Sequence, residues 1–467
     1  MTRLTIILLV FFFLKDPLPI VAQFDKANDL YAAKQYAAAI PHFEKGLLEK
    51  DNLTAKARLA NCYRLTNKME QAEAIYAVVV GQPKAKPDAF LHYAETLMSN
   101  GKYDQARTFF EKYFQAEPLD STGFWMARNC TLVPNIKPYF SWLLVEEMPF
   151  NTDSDDNSAV FWRGGVVFTS DRPGGPALLK QKAGWTGRDF LKLWWVKYDA
   201  DGRFGEPKSF SGRLNVLNKN TANASFTGDG KAVFFTRNAD FTGKDNTLNL
   251  QLFSAENTGG NRWKSIEKLS FCTPEINYMH PAVAPDGSWL VFSSNKNGTI
   301  GGFDLWISRK KADGGWSRPE NLGPAVNTTQ HEGFPFIARD GRLFFCSKGL
   351  PGFGGFDIFV TEKDSLTGNW KPAVNLGRPI NGSHDDLGFS LAANDSIGFF
   401  TSSRDGDDDD IYLFWLGEKK AFPNVKKTEE VVIENEPETD ENQPEPHFPQ
   451  NLDSLKMDLL AQKPVEN

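Results

Sequence analysis

The chain has few of the residues that carry most enzyme chemistry. Among its 467 residues there are six histidines and four cysteines, with no Cys-x-x-Cys pair, Gly-x-Ser-x-Gly elbow or His-Glu-x-x-His helix. These absences remove the usual sequence signatures of hydrolases and zinc proteases. We therefore expect a protein that is not an enzyme and that uses no cofactor.

The four cysteines allow two interpretations. Cys62, Cys130, Cys272 and Cys346 lie in apolar contexts, which is typical of small buried hydrophobic side chains. In an exported chain they could also form disulfides, and three connectivities are then open.

Neither sign of charge is in excess over the body of the chain. The formal net charge is −7, but residues 417–467 contain twelve acids and six lysines and so account for −6 of it. A nearly neutral body without a basic stripe argues against nucleic acid as a partner. The acidic segment 417–467 is predicted to be a disordered tail.

Long hydrophobic runs are also missing. The apolar run Ile6–Leu14 has nine residues, which is too short to cross a bilayer. Arg3 before it and Pro19–Gln23 after it predict an export signal, residues 1–22, cleaved near Ala22. No cysteine follows the run, so a lipoprotein anchor is not expected. The mature chain is expected outside the cytoplasm, with no transmembrane segment.

What the sequence does contain is a repeat of about 53 residues. Asp304, Asp357 and Asp410 each begin an apolar run, and they are 53 residues apart. Each of these runs follows two other short strand-like segments, and the first two are followed by a strand that a tryptophan opens. Asp-Gly pairs supply the positive φ of the hairpin turns. This period and content predict four-stranded β-propeller blades.

Two earlier, altered copies bring the number of predicted blades to five. Gln251 and Lys192 hold the aspartate position in these copies, and the propeller is predicted over residues 139–416. The fifth copy lacks its outer strand, which would leave an unpaired sheet edge. We expect residues 139–147 to supply that strand and close the ring.

Residues 24–131 follow a helical period instead. Ala39, Ala72 and Ala106 recur at intervals of 33 and 34, and an aromatic residue follows each by four. This pattern resembles the tetratricopeptide repeat (TPR), a helix pair of about 34 residues. The predicted fold class is α+β multidomain, an all-α TPR solenoid followed by an all-β five-bladed propeller.

The TPR resemblance implies a concave face that could bind a peptide or helix of a partner. The same residues could instead be solvated, or could pack on the propeller. They are Asn28, Tyr31, Asn61, Arg64, Glu95 and Met98.

A second candidate site comes from the propeller repeat. His280, His331 and His384 precede the inner strands of three consecutive blades at intervals of 51 and 53. We expect them to surround the mouth of the central channel together with Glu332 and Asp385. Such a site could bind a small molecule, a glycan or a peptide end, and a metal is not expected. The alternative is that a polar residue is favoured at this loop in every blade, as at Ser154-Asp155 and Asn220-Thr-Ala-Asn223.

The propeller motifs resemble a known family. Ala284-Pro-Asp-Gly287, Val291-Phe-Ser-Ser294 and Phe303-Asp-Leu-Trp306 look like the PD40 repeats of TolB-type, WD40-like propellers. Joined to an exported TPR domain, they resemble the PorE-type envelope proteins of Bacteroidota, which belong to the type IX secretion and gliding machinery.

The resemblance implies a non-catalytic periplasmic scaffold that binds envelope or secretion-machinery proteins and reaches the outer membrane through them. The alternative function is a ligand-binding propeller. Relatives of this kind usually continue into an OmpA-like domain that binds peptidoglycan. This chain has an acidic tail at that point, so peptidoglycan binding is not expected.

Overall fold

A computed structural model describes residues 20–174, 181–199, 203–240, 242–243, 247–393, 395–406, 408–417 and 427–429. Most of the predicted export signal and of the acidic tail lie outside these residues. The described helices are α1 (Ile20–Ala32), α2 (Tyr36–Glu49), α3 (Leu53–Leu65), α4 (Met69–Val80), α5 (Pro87–Ser99), α6 (Tyr103–Ala116) and α7 (Thr122–Leu132).

The helices form three antiparallel pairs followed by α7. Local sequence sets several helix ends: the Asn52 side chain accepts a hydrogen bond from the Ala55 N–H at the start of α3, and Pro87 occupies the first turn of α5. The repeated alanines Ala39, Ala72 and Ala106 are completely buried, because a small side chain lets adjacent helices approach closely. This confirms the predicted helical repeat, although α1 begins at residue 20 and not at 24.

Four antiparallel sheets follow, each made of four strands in sequence order. Blade one contains β2 (Asp156–Trp162), β3 (Gly165–Ser170), β4 (Lys192–Lys197) and β5 (Lys208–Ser209). Blade two contains β6 (Thr221–Phe226), β7 (Ala232–Asn238), β8 (Leu250–Asn257) and β9 (Trp263–Lys268). Blade three contains β10 (Tyr278–Val283), β11 (Trp289–Ser294), β12 (Asp304–Arg309) and β13 (Glu320–Asn321). Blade four contains β14 (Glu332–Ile337), β15 (Leu343–Ser347), β16 (Asp357–Thr361) and β17 (Val374–Asn375).

The fifth blade joins the two ends of the propeller. It contains β18 (Asp386–Leu391), β19 (Ile397–Ser402) and β20 (Asp410–Leu416), and its fourth strand is β1 (Leu143–Glu147). Strand β1 pairs antiparallel with β20, with Leu143 opposite Leu416 and Val145 opposite Phe414. A short strand, β21 (Lys427–Glu429), pairs on the other side of β1. The prediction that residues 139–147 contain the closing strand is confirmed.

The propeller core consists of five hydrophobic clusters, one between each pair of neighbouring blades. Alternation along the second strand of each blade produces this arrangement, because successive side chains point to opposite faces of a sheet. In blade four, Phe344 and Cys346 pack toward blade five, whereas Leu343 and Phe345 pack toward blade three. All four cysteines are buried and unpaired in the structure.

No helix among the described residues is long and apolar enough to cross a membrane.

Candidate functional site

The residue just before each inner strand links neighbouring blades. His331 Nδ1 accepts a hydrogen bond from the backbone N–H of Phe303 in the preceding blade, at 3.2 Å. Asp385 Oδ1 accepts in the same way from Phe356, at 2.7 Å. The equivalent residues in the other blades, with their donors, are Asp155 with Asp409, Asn220 with Leu191, and Asn277 with Leu250. The polar residue at this loop therefore holds the ring together, which supports the alternative interpretation of the histidine pattern.

The expectation that the three histidines occupy the same place in their blades is wrong. His280 is the third residue of β10, and the bulge in each inner strand aligns it with Phe334 and Gly388. His331 is aligned with Asp385, and His384 lies one residue earlier in its loop, with Nδ1 3.4 Å from Ser383 Oγ. The intervals of 51 and 53 residues therefore connect three positions that are not equivalent in their blades.

The bulge residues form a second layer of contacts around the channel. All five have φ between +48° and +58°: Ser158, Asn223, His280, Phe334 and Gly388. In this conformation, their backbone N–H groups point at side chains of the preceding blade. For example, Asn223 N–H donates to Thr169 Oγ1 at 2.9 Å and His280 N–H donates to Thr236 Oγ1 at 3.0 Å.

His280 is an uncharged part of this layer. Its ring stacks on Phe334 with 3.7 Å between centroids, and its Nδ1 accepts from the Phe334 N–H at 3.3 Å. Burial lowers the pKa of His280 to about 3, and Nε2 carries the hydrogen because Nδ1 is the acceptor. The histidine therefore presents a neutral imidazole to the channel.

Glu332 is the first residue of its inner strand and is 1% exposed. Its carboxylate accepts three hydrogen bonds, from Thr328 N–H at 2.9 Å, Thr328 Oγ1 at 2.7 Å and Ser347 Oγ at 2.7 Å. Burial raises the pKa of Glu332 to about 7. Asp385 is more exposed than Glu332, and its Oδ1 also lies 3.4 Å from Lys348 Nζ.

The predicted concave residues form one connected polar row. Asn61 Nδ2 donates to the Tyr31 hydroxyl at 2.6 Å, and Arg64 Nη2 donates to Asn61 Oδ1 at 2.9 Å. Arg64 Nη1 lies 3.0 Å from Glu95 Oε2. The row thus joins α1, α3 and α5. Asn28 accepts a hydrogen bond from Arg58 beside it, and Met98 is 3% exposed.

Sequence reasoning missed a loop that holds the helices against blade one. We call residues 181–190 the tryptophan loop. Its Trp185 ring packs edge-on against Tyr36 at 4.7 Å, and Trp185 Nε1 donates to the Leu65 carbonyl at 3.0 Å. The unusual length of the connection between β3 and β4 could have revealed this loop. That connection spans residues 171–191, whereas the equivalent connection between β15 and β16 spans only residues 348–356.

The helices also contact blade four. Asn129 Nδ2 on α7 donates to the Gly349 carbonyl at 3.3 Å, and Gln330 Nε2 donates to Thr122 Oγ1 at 3.2 Å. These contacts lie at the end of the propeller where the inner strands begin. The helical domain therefore covers the end of the channel that was predicted to be the histidine-lined mouth.

A cavity of about 280 Å³ lies at the other end of the channel. His280 and Phe334 contribute to it from the bulge layer, while Pro281, Pro335 and Phe226 contribute to its walls. Arg339 and Asp229 lie at its rim, on the turns after the inner strands. This cavity has both polar and apolar lining and is separated from the helical domain by the depth of the ring.

We predict that His331→Asn keeps the stability of the native chain and that His331→Ala lowers it. Asparagine performs the same linking role at Asn220 and Asn277, so the hydrogen bond to Phe303 can be kept. Loss of that bond in the alanine variant should cost about 1 kcal/mol in the free energy of unfolding. Urea unfolding followed by tryptophan fluorescence measures the stability of both variants. Equal losses in the two variants would show that the hydrogen bond is not what His331 contributes.

The fold and these contacts define the class of the protein: a TPR-like helical domain joined to a five-bladed propeller. A family described as "Anaphase-promoting complex, cyclosome, subunit 3" matches residues 32–113. This match covers the helical repeats alone. No curated protein matches the chain.

Several solved structures are similar to parts of the chain. The second TPR domain of human RPAP3, in complex with an HSP70 peptide, is 20% identical over 24% of this chain and 94% of its own, with a TM-score of 0.23. TolB from Acinetobacter baumannii is 12% identical over 66% of this chain and 56% of its own, with a TM-score of 0.31. A thermostable family-43 glycoside hydrolase is 11% identical over 63% of this chain and 100% of its own, with a TM-score of 0.38. These likenesses carry no conclusion about activity.

Proposed function

We propose that the protein is a non-catalytic interaction scaffold of the cell envelope. The observation that carries this proposal is the fixed docking of the helices on one end of the propeller. It leaves two separate surfaces on one body: the polar row of the concave face, and the cavity at the open end of the channel. A body with two surfaces of this kind is suited to holding two partners in a set relation.

The concave row is the surface we assign to a peptide or helix of a protein partner. Arg64 and Glu95 keep 20% and 28% of their side chains exposed, so both can still exchange hydrogen bonds with a bound chain. The row contains hydrogen-bond donors and acceptors but carries little net charge. An extended segment with polar side chains fits this chemistry better than a strongly acidic or basic one.

We also propose an exported location, in the periplasm, with partners among envelope proteins. The support is the charged start and the apolar run at residues 6–14, together with the resemblance to PorE-type proteins. A link to type IX secretion or gliding rests on that resemblance alone.

Crosslinking of the full chain in its own cells tests the scaffold. We expect one envelope protein to co-purify in stoichiometric amount with the native chain, and an Arg64→Ala, Glu95→Ala variant to lose it. Lys112→Ala, on the outer helix α6, is the matched control and should retain it. The scaffold is wrong if no protein is crosslinked, or if the control variant loses the same protein.

A second candidate function is ligand capture by the propeller, and the cavity of about 280 Å³ favours it. Phe334→Gly tests this candidate. Phe334 has φ +48°, a conformation that glycine adopts without strain, and Gly388 occupies the same place in blade five. The variant should fold but lose any sugar or small molecule that co-purifies with the native chain. Unchanged ligand content would exclude the cavity as its binding site.

A further inference from the structure

Blades one and five have a buried ion pair where the inner strand begins. The first residue of that strand is Asp156 in blade one and Asp386 in blade five, and both are completely buried. Arg172 Nη2 lies 2.6 Å from Asp156, and Arg404 Nη2 lies 2.9 Å from Asp386. Each buried carboxylate in these two blades therefore has a cation beside it, as a buried charge requires.

Blade two has the opposite arrangement. Its inner strand begins with Thr221, and Arg237 lies opposite this residue on the second strand. In blades one and five the residue that corresponds to Arg237 is a serine, Ser170 or Ser402. Directly opposite residues of an antiparallel pair lie on the same face of the sheet, with Cβ atoms about 5 Å apart. Blade two thus has a cation at this level and no carboxylate opposite it.

Arg237 is 9% exposed, and the side chains that hold it are aromatic. Its guanidinium carbon lies over the Phe253 ring, 4.0 Å from the centroid, and 5.8 Å from the centroid of Phe235. Nε is buried and has no hydrogen-bond partner among the described residues. The rings therefore support one face of the guanidinium, while the N–H donors at its edge are left for another acceptor.

The charged neighbours do not balance Arg237. Asp240 is the acid whose charge acts on it, but the Asp240 carboxylate is bound by Lys219 and is also close to Lys268. Three cations thus share one carboxylate, whose side chain is 64% exposed. Burial lowers the pKa of Arg237, yet a guanidinium keeps its charge at any pH at which proteins are folded. Arg237 is therefore a buried cation without a countercharge among the described residues.

The edge of Arg237 can be reached from solvent. Nε is fully covered, whereas Nη1 and Nη2, which also have no partner within the described residues, stay open. The site lies at the end of the propeller where the inner strands begin. At that end the helices bond to blades one and four, and no hydrogen bond or ion pair between described residues joins them to blade two.

We propose that Arg237 is the centre of a binding site for a carboxylate group that another molecule supplies. The guanidinium edge donates two parallel hydrogen bonds to this carboxylate, and Lys219 and Lys268 attract it to blade two. A carboxylate is favoured over other anions because it is the group that pairs with the buried arginines of blades one and five. The site depends neither on the concave row nor on the channel cavity.

Urea unfolding of the full chain tests the site, with sodium acetate as the probe and sodium chloride at equal ionic strength as the reference. At an acetate concentration ten times its dissociation constant, we expect the folding equilibrium constant to rise about elevenfold. Arg237→Gln should show no such rise. Arg262→Gln, which changes an exposed arginine of the same blade, is the matched control and should respond as the native chain does. No rise in the native chain, or an equal rise in Arg237→Gln, would overturn the proposal.

A second pair of variants tests the missing carboxylate itself. Thr221→Asp supplies it from within the chain, opposite Arg237, and should lose most of the response to acetate. Thr221→Asn has a similar size without the charge and should keep the response. A full response in Thr221→Asp would contradict the assignment, and the Arg237→Gln result stands whether or not this variant folds.

Two further probes identify the source of the carboxylate. Tetraglutamate that binds about tenfold or more tightly than acetate, and only when Arg237 is present, would assign the site to an acidic side chain of a partner protein. Equal binding of the two would assign it to a small organic acid. Inorganic phosphate that binds more tightly than both would show that the site is not built for a carboxylate.

Discussion

Replacing Leu144 with aspartate should lower the free energy of unfolding by about 4 kcal/mol or more. Leu144 in β1 is 5% exposed and packs in the cluster that joins blades five and one, with Phe399, Ile411 and Leu413. Truncation of a buried leucine alone costs about 2–5 kcal/mol. The carboxylate would in addition be placed without a partner in an apolar core, in the strand on which ring closure depends.

The matched control for this change is Trp142→Asp. Trp142 lies just before β1 and is 43% exposed, so the same new charge there remains hydrated and should cost about 0.5 kcal/mol or less. Urea unfolding of both variants, followed by circular dichroism, gives the comparison. Similar losses for the two would mean that β1 is not needed for a stable ring.

The second large effect is expected for Arg404→Met. The guanidinium donates to Asp386 at 2.9 Å and to the Pro379 carbonyl at 2.8 Å, and Asp386 is completely buried. Removal of one partner of a buried ion pair leaves an uncompensated charge, which costs about 3–5 kcal/mol. Adding Asp386→Asn to this variant removes that charge and should recover most of the loss.

The loss should depend on pH in a defined direction. Burial already raises the pKa of Asp386 while Arg404 lowers it, so removing the arginine raises the pKa further. The folded variant then holds a proton that the unfolded chain releases, and the stability of the variant relative to the native chain increases as pH falls. Unfolding at pH 5 and pH 8 measures this. An equal loss at both values would show that the cost lies in packing and not in charge.

Much of the fold could be predicted because it repeats. The interval of 53 residues between Asp304, Asp357 and Asp410 reflects blades of nearly constant size. The structure also shows why the residue matters: the Asp304 carboxylate accepts from the Ile300 N–H at 2.7 Å and Asp357 accepts from the Phe353 N–H at 2.9 Å. Both therefore build the turn before the third strand. In the altered copy of blade two, Gln251 instead donates to the Thr273 and Ile276 carbonyls, in the loop between blades two and three.

The candidate site could be predicted only in part. The row of Asn61, Arg64 and Glu95 is implied by the TPR resemblance, and the structure brings these residues together. The histidine pattern misled because the three intervals are close to the repeat length without matching the alignment of the blades. His331 is equivalent to Asn277, so His280 lies three residues further along its blade and belongs to the bulge layer.

The contact between the two domains could not be predicted from the repeats. Trp185 stands in an insertion, for which no equivalent exists in the other blades to suggest a role. A glycine in a turn is ordinary by itself. Gly349 becomes informative only when blade four is aligned with blades one and five, where Arg172 and Arg404 hold the same position and pair with buried aspartates. Both residues acquire meaning from neighbours that are distant in sequence, and no local pattern encodes such neighbours.

The pairing of β1 with β20 has a mechanical consequence. Leu143, the first residue of β1, lies opposite Leu416, the last residue of β20. A pull between the helical domain and the chain after Leu416 would therefore act on both strands at the same end. Such a load separates the hydrogen bonds one at a time, as in a zipper, and does not strain them all together. Although five apolar interfaces hold the ring together, a small tension would suffice to open it at the pairing of β1 with β20.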